Sequence, residues 1–110
     1  MVMRLIVKAD GPIQCSACEE AKRLISLMMI PARILALNPD VPESNREAYA
    51  DTLEAYAALA WVEAIDDIET KGFPVLVPDG GNMAIHGRDV VDYLECLPRI
   101  LEVLDACSTL

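Results

Sequence analysis

Two cysteines, Cys15 and Cys18, stand three positions apart near the start of the chain. Residues three apart in a helix share a face, so a pair in the first helical turn can form and break a disulfide with little backbone movement. The N–H groups and the dipole at a helix N-terminus also stabilise a thiolate. We therefore expect Cys15 to be the attacking thiolate, and Cys18, one turn further in and more shielded, to be the resolving thiol.

A structural zinc site is the competing use of such a pair, and it normally needs a second pair or two histidines. The chain has one histidine, His86, and two lone cysteines, Cys96 and Cys107. This pattern lacks the second half of a zinc site, so we expect no metal. Cys96 and Cys107 are expected to be small buried apolar residues, and His86 a surface or half-buried residue rather than a ligand or a base.

The 110 residues suffice for one domain, and we expect residues 1–110 to form a single α/β domain. Hydrophobic residues make up 54% of the chain, which is ample for a core. The net charge of −9 disfavours nucleic acid and anionic membranes as partners. No apolar run suggests a signal peptide or approaches the roughly 20 residues that span a bilayer. We therefore expect a cytoplasmic protein whose thiols are reduced at rest.

Periodicity and turn residues predict the elements of the first half. The apolar run Leu5-Ile6-Val7 predicts a buried strand, and apolar residues at helical spacing after Cys15 predict an amphipathic helix that Pro31 stops. A second strand is predicted over residues 32–37. Between residues 41 and 70 the chain is rich in Ala, Glu and Leu, which predicts a helix or a broken pair of helices.

Several side chains within the helical segments carry separate expectations. In the helical segment between residues 41 and 70, four residues at spacings of three and four are predicted to share one face: Tyr49, Leu53, Tyr56 and Ala60. Trp61 is expected to be a core anchor. The adjacent pairs Glu19-Glu20 and Asp66-Asp67 are expected to lie on solvated faces, because neighbouring residues on a helix point apart.

The second half is predicted to contain a hairpin and a final helix. A strand over residues 73–77, a turn over 78–82 and a partner strand over 83–85 form the hairpin. Asp89 is the predicted N-cap of the last helix. Its expected core face consists of Val90, Val91, Tyr93, Leu94 and Leu97. The first two strands, joined by a helix, are expected to be parallel, whereas the hairpin strands are antiparallel. The sheet must therefore be mixed.

These pieces together resemble the glutaredoxin branch of the thioredoxin superfamily, over nearly the whole chain. The matching segments are Cys15-Ser16-Ala17-Cys18, Gly72-Phe73-Pro74-Val75-Leu76-Val77, Asp79-Gly80 and Ile85-His86-Gly87-Arg88-Asp89. The resemblance implies a thioredoxin-like fold, with a mixed four-stranded sheet flanked by helices. It also implies a cis Pro74 against the cysteines, and a Phe73 backbone that offers hydrogen bonds to a bound thiol peptide.

The same resemblance implies a thiol-disulfide oxidoreductase that acts on protein or small-molecule disulfides, including glutathione mixed disulfides. It implies no tightly bound cofactor, with glutathione or a thioredoxin-type reductase as the source of electrons. The oxidised pair Cys15/Cys18 would be reduced again by that partner. The oligomeric state does not follow from the resemblance.

The sequence also departs from the glutaredoxin pattern. Many glutaredoxins carry a lysine shortly before the first cysteine and Pro-Tyr between the two, whereas here residues 10–14 contain no lysine and the inner pair is Ser16-Ala17. A glutathione carboxylate would therefore lack its usual cation, unless Lys8 or Arg88 replaces it. The stretch between the second strand and Pro74 is longer than in a minimal glutaredoxin, and could shape a different substrate surface or simply cover the sheet.

Two functions of other classes fit the same cysteines. One is an iron–sulfur or metal-binding module, in which Cys15 thiolates from two chains hold a cluster. The other is a redox-inactive interaction domain whose cysteines are idle. Residues 11–17 carry no charge, and this neutral rim on an acidic chain suits a neutral or basic peptide disulfide better than anionic glutathione.

Overall fold

The computed structural model describes residues 3–9, 15–78 and 83–97. The strands are β1 (Met3–Lys8), β2 (Ala32–Leu37), β3 (Val75–Val77) and β4 (Ile85–His86), and the helices are α1 (Ser16–Leu27), α2 (Arg46–Trp61), α3 (Asp67–Lys71) and α4 (residues 88–97). The helical material between β2 and β3 is thus a broken pair, one of the two arrangements expected. Among the described residues, no helix is long and apolar enough to cross a membrane.

The four strands form one mixed sheet, as predicted, and their order in it is β2-β1-β3-β4. β1 runs parallel to β2, with Ile6 opposite Leu35, and antiparallel to β3, with Ile6 also opposite Val75. β4 pairs antiparallel with β3 and places His86 opposite Val75. The carboxyl ends of β1 and β2 therefore meet the beginning of β3 at one edge of the sheet, which we call the upper edge.

Alternation along β1 and β3 divides the core into two layers on opposite faces of the sheet. Leu5, Val7 and Leu76 pack with α1 and α4 in one layer, which we call the α1 layer. Ile6 and Val75 pack with α2 in the other, the α2 layer. Burial on both faces explains why β1 and β3 read as continuous apolar runs.

Helix α1 agrees with its predicted position and amphipathic character. It begins at Ser16, directly after Cys15, and ends at Leu27, with Met28 as its C-cap. The chain then turns through Met29, whose φ is +53°, before Pro31. Its buried face consists of Ala17, Cys18, Ala21, Leu24 and Ile25.

Helix α2 buries a different face from the one suggested by the Tyr49, Leu53, Tyr56 and Ala60 pattern. Its buried residues are Thr52, Ala55, Ala58 and Leu59. Leu53 is 52% exposed and Ala60 is exposed, while both tyrosines are half-buried. The large apolar residues misled the prediction, because the face against the sheet is made mainly of small side chains.

Two expected core residues are exposed. Trp61 is 78% exposed at the end of α2, so its prediction as a core anchor was wrong. Cys96 is exposed on α4, about 120–160° around the helix from the buried Val90, Val91 and Leu94. Its expected burial was therefore also wrong. Cys107 lies outside the described residues.

The hairpin and the last helix differ in their bounds from the prediction. β3 begins at Val75 rather than at residue 73, and β4 comprises Ile85–His86 rather than residues 83–85. The turn between them is described only in part, at residues 78 and 83–84. Helix α4 starts at residue 88, with the Val90 N–H donating to the Gly87 carbonyl at 3.1 Å, so Asp89 lies inside the helix and is not its N-cap. Gly87 has φ +63°, a conformation that favours glycine.

Candidate functional site

Cys15 and Cys18 form a disulfide across the first turn of α1, with their Cα atoms 5.2 Å apart. Cys15 is the N-cap of this helix, and its Sγ accepts a hydrogen bond from the Cys18 N–H at 3.2 Å. Cys15 is half-buried, whereas Cys18 is only 2% exposed and belongs to the α1 layer. A partner approaching from solvent therefore meets Cys15 first.

Phe73 and Pro74 lie at the same edge of the sheet as the disulfide. The peptide bond between them is cis, as the resemblance implied, while the implied contact of Pro74 with the cysteines stays a prediction. The buried Pro74 accepts a hydrogen bond at its carbonyl from the Gly87 N–H at 2.8 Å. Among the described residues, no hydrogen bond uses the N–H or the carbonyl of Phe73. These two backbone groups are the kind that an extended peptide could pair with.

The register of the sheet explains why these segments come together. β1 ends at Lys8 on the upper edge, and Cys15 stands directly before α1, the next element along the chain. In β3, Val75 pairs with Ile6, so continuing this antiparallel register brings Phe73 level with Lys8. The side chain of Phe73 packs against both core layers, and Cys15 packs against the α1 layer.

A cavity of about 620 Å³ opens at the upper edge on the α2 side. Its apolar wall includes Leu37 at the end of β2, Ile65 and Ile68 around α3, and Phe73. Its volume falls within the range of about 300–1,000 Å³ that is usual for small-ligand sites. Sequence reasoning missed this cavity, although the long stretch between β2 and Pro74 was its signal, since that stretch supplies much of the wall.

A buried threonine holds one wall of the cavity in place. The Thr52 Oγ1 donates to the Ala36 carbonyl at 3.3 Å and accepts from the Asn38 N–H at 3.2 Å. The Asn38 Oδ1 in turn accepts from the Asp40 N–H at 3.1 Å. These bonds tie the turn after β2 to α2, so residues 38–40 are positioned by the helix that covers the sheet.

The two cations considered as substitutes for the missing lysine have different surroundings. Arg88 on α4 donates from Nη1 to the Glu20 Oε2 on α1 at 2.8 Å. Lys8 is exposed and lines the cavity. Lys8 is therefore the cation next to Phe73, while Arg88 joins two helices of the α1 layer.

The remaining candidate side chains have structural partners. Glu19 is exposed and pairs with Lys22 at 2.8 Å, whereas Glu20 is half-buried against Arg88, so only the first lies on a fully solvated face. His86 is half-buried in β4, with its Nδ1 3.5 Å from the Gly72 carbonyl. Over residues 3–9, 15–78 and 83–97, no group of three or more His, Cys, Asp or Glu side chains is arranged to hold a metal ion.

Comparison with known proteins adds no relative to this description. No protein-family model, no curated protein and no solved structure matches the chain. The disulfide at the N-terminus of α1 and the cavity beside Phe73 are thus the features from which a function can be inferred.

Proposed function

We propose that this protein is a thiol-disulfide oxidoreductase with a thioredoxin-like fold, similar to the glutaredoxins, and that Cys15 and Cys18 are its redox pair. The disulfide across the first turn of α1, with one accessible and one buried sulfur, is the observation that carries the proposal. The strand order β2-β1-β3-β4 and the cis Pro74 are compatible with that fold.

In the reduced protein, the Cys15 thiolate attacks one sulfur of a substrate disulfide. A bond forms between the Cys15 Sγ and that sulfur, while the other substrate sulfur leaves as a thiolate and takes a proton from water. The Cys18 thiol then gives up its proton to water as its sulfur attacks the Cys15 Sγ, which forms the intramolecular disulfide and breaks the bond to the substrate. The second substrate sulfur leaves as a thiolate and takes a proton from water. Two electrons pass from the cysteine pair to the substrate, and the protein ends in the oxidised state that the structure shows.

The first turn of α1 supports this division of roles. The Cys18 N–H already points at the Cys15 Sγ, and a hydrogen bond of this kind is stronger to a thiolate than to a neutral sulfur. Burial of Cys18 disfavours its charged form and keeps external disulfides away from it. Attack at Cys15 and resolution by Cys18 therefore follow from the position of each sulfur.

Phe73 and Pro74 are proposed to bind the substrate. An extended segment beside Phe73 could hydrogen-bond to its N–H and carbonyl, which no described residue uses, and this would hold the substrate disulfide near Cys15. Regeneration of the dithiol needs an external thiol reductant, with glutathione or a thioredoxin-type reductase as candidates. No tightly bound cofactor takes part in these steps, and a reducing compartment such as the cytoplasm suits them.

The proposal is tested by turnover of a small peptide disulfide with dithiothreitol as the reductant. Wild-type protein is expected to accelerate the reaction over the dithiothreitol background, and Cys15→Ser to abolish that acceleration. After removal of dithiothreitol, reduced Cys18→Ala mixed with the peptide disulfide should accumulate a mixed disulfide through Cys15, visible by mass spectrometry, and this variant avoids burying the hydroxyl that Cys18→Ser would introduce. Equal residual turnover in the Cys15 and Cys18 variants would show that the roles are wrongly assigned.

Cys96 provides an internal control for the reactivity of Cys15. Both cysteines can be reached from solvent, but only Cys15 caps a helix. In the reduced protein, iodoacetamide at mildly acidic pH should alkylate Cys15 faster than Cys96, because the helix N-terminus stabilises its thiolate. Equal rates at the two positions would favour a redox-inactive interaction domain over an oxidoreductase.

A further inference from the structure

The cavity at the upper edge carries a charge pattern that the proposed chemistry does not use. Three carboxylates line it, those of Asp40, Asp66 and Glu69, against the one ammonium of Lys8. All four side chains belong to exposed residues. Among the described residues, no ion pair involves any of these carboxylates. The described lining of the cavity is therefore negative overall, and no described cation pairs with its carboxylates.

The cavity and the disulfide share the upper edge of the sheet. Phe73 lines the cavity and also packs against the α1 layer, to which Cys15 contributes. A peptide running past the backbone of Phe73 would thus lie beside Cys15 and above the cavity. Continuity with the proposed substrate-binding backbone makes the cavity a place for residues that flank a substrate disulfide.

The lining determines what kind of residue fits. Leu37, Ile68 and Phe73 offer apolar surface to an aliphatic stem, while the exposed Asp66 and Glu69 contribute carboxylates to the lining. Lysine and arginine combine such a stem with a cationic end. Glutathione carries two carboxylates, which the same wall would repel.

Resting on the proposed function, we infer that this cavity selects the substrate: it takes a lysine or arginine that flanks the disulfide of a protein or peptide, and it disfavours glutathione mixed disulfides. The occupant is thus a basic polypeptide segment. The cysteine pair supplies the electrons, and the cavity supplies the preference among disulfides. This preference agrees with the absence of charged side chains over residues 11–17 of the sequence.

The test compares peptide disulfides that differ only in whether the flanking residues are lysine, glutamine or glutamate, reduced by wild-type protein with dithiothreitol. We expect kcat/KM to fall in that order, by about fivefold per charge pair, the upper range for exposed pairs. Raising the ionic strength from about 0.1 M to about 1 M should shrink the differences, since the screening length falls from about 10 Å to about 3 Å.

The double variant Asp66→Asn/Glu69→Gln removes two cavity charges without changing side-chain size. It should lower kcat/KM for the lysine peptide, raise it for the glutamate peptide and leave the glutamine peptide unchanged. The matched control is Asp92→Asn/Glu95→Gln on the exposed face of α4. This helix packs on the α1 side of the sheet, and neither residue lines the cavity. The control variant changes the net charge equally and should preserve the wild-type order.

The outcomes separate the two proposals. The cavity inference is overturned if turnover depends on Cys15 but not on the charge of the flanking residues. It is also overturned if turnover changes equally in both double variants. Either result leaves the proposed oxidoreductase activity intact. A preference for glutathione mixed disulfide over the lysine peptide also overturns the inference. If wild-type protein reduces none of these disulfides beyond the level of Cys15→Ser, the oxidoreductase and the selectivity built upon it both fail.

Discussion

Helices α1 and α2 cover opposite faces of the same sheet, but they differ in what they show to solvent and in what caps them. α1 has a charged outer face, with Glu19, Lys22 and Arg23, and its cap is the sulfur of Cys15. α2 divides less sharply: small residues face the sheet, while the apolar Leu53 and Trp61 are exposed together with charged residues such as Glu47. Its cap is the inert side chain of Asn45.

This difference shows how the two faces of one sheet can have different roles: α1 carries the proposed redox cysteines, and α2 covers the opposite side of the core. The amphipathic α1 has a single way to pack, which holds its N-terminus and the Cys15 sulfur in a defined place at the upper edge. The less sharply divided α2 is oriented instead by specific contacts, such as those of Thr52 with β2 and Leu59 with the core. If this comparison is correct, changes to the two faces of α2 and to the two caps should have clearly different effects.

The largest effect is expected on the buried side of α2. Leu59 is fully buried, so Leu59→Ala should lower the free energy of unfolding by about 2–5 kcal/mol. Leu53→Ala, on the outer face of the same helix, should change it by no more than about 0.5 kcal/mol. Urea unfolding followed by circular dichroism measures both. Similar losses in the two variants would mean that the outer face is also packed.

A smaller effect is expected from the hydroxyl that joins α2 to β2. Thr52→Val keeps the shape of the side chain but leaves the Asn38 N–H and the Ala36 carbonyl without their partner, which should cost about 1–3 kcal/mol. Thr52→Ser retains the hydroxyl and is the matched control. If unfolding in urea shows the serine variant to be as unstable as the valine variant, packing of the methyl group positions α2 rather than the hydrogen bonds.

The smallest effect is expected at Cys15, which is the N-cap of α1 and also the proposed attacking cysteine. Serine is a good N-cap and alanine a poor one, so Cys15→Ala should be less stable than Cys15→Ser by about 1 kcal/mol. Neither variant can form the disulfide, so thermal unfolding under reducing conditions isolates the cap. Asn45→Ala provides the same comparison at α2, whose cap is longer at 3.5 Å and should contribute less. Equal stability of the two Cys15 variants would mean that the sulfur adds nothing as a cap.

Local signals were sufficient for α1, for the mixed sheet and for the cysteine pair. The period of α1 is clear because its apolar and charged residues alternate sharply, and the cysteines stand where that period begins. The apolar runs of β1 and β3 mark strands buried on both faces. The cis Pro74 was available only through the resemblance to glutaredoxins, since a proline at a strand start does not by itself specify a cis bond.

The buried face of α2, the exposure of Cys96 and the cavity could not be predicted, because they depend on how the elements pack together. In α2, alanines form the inner face and larger residues the outer one, so size and hydrophobicity pointed to the wrong side and Trp61 was assigned to the core. Cys96 was misplaced because a cysteine is often buried, whereas its angle around α4 puts it outside. The cavity joins residues from β2, α3 and the Phe73 segment, and their meeting follows only from the fold.

The exposure of Trp61 decides what the intrinsic fluorescence of this protein reports. Trp61 is the chain's single tryptophan, and it already lies largely in water in the folded state. Its emission should therefore shift little when the core melts, and the redox state of α1, on the other face of the sheet, should leave it almost unchanged. Any molecule that covers the outer side of α2 would shift that emission to shorter wavelength, so the residue is a built-in optical probe of that surface.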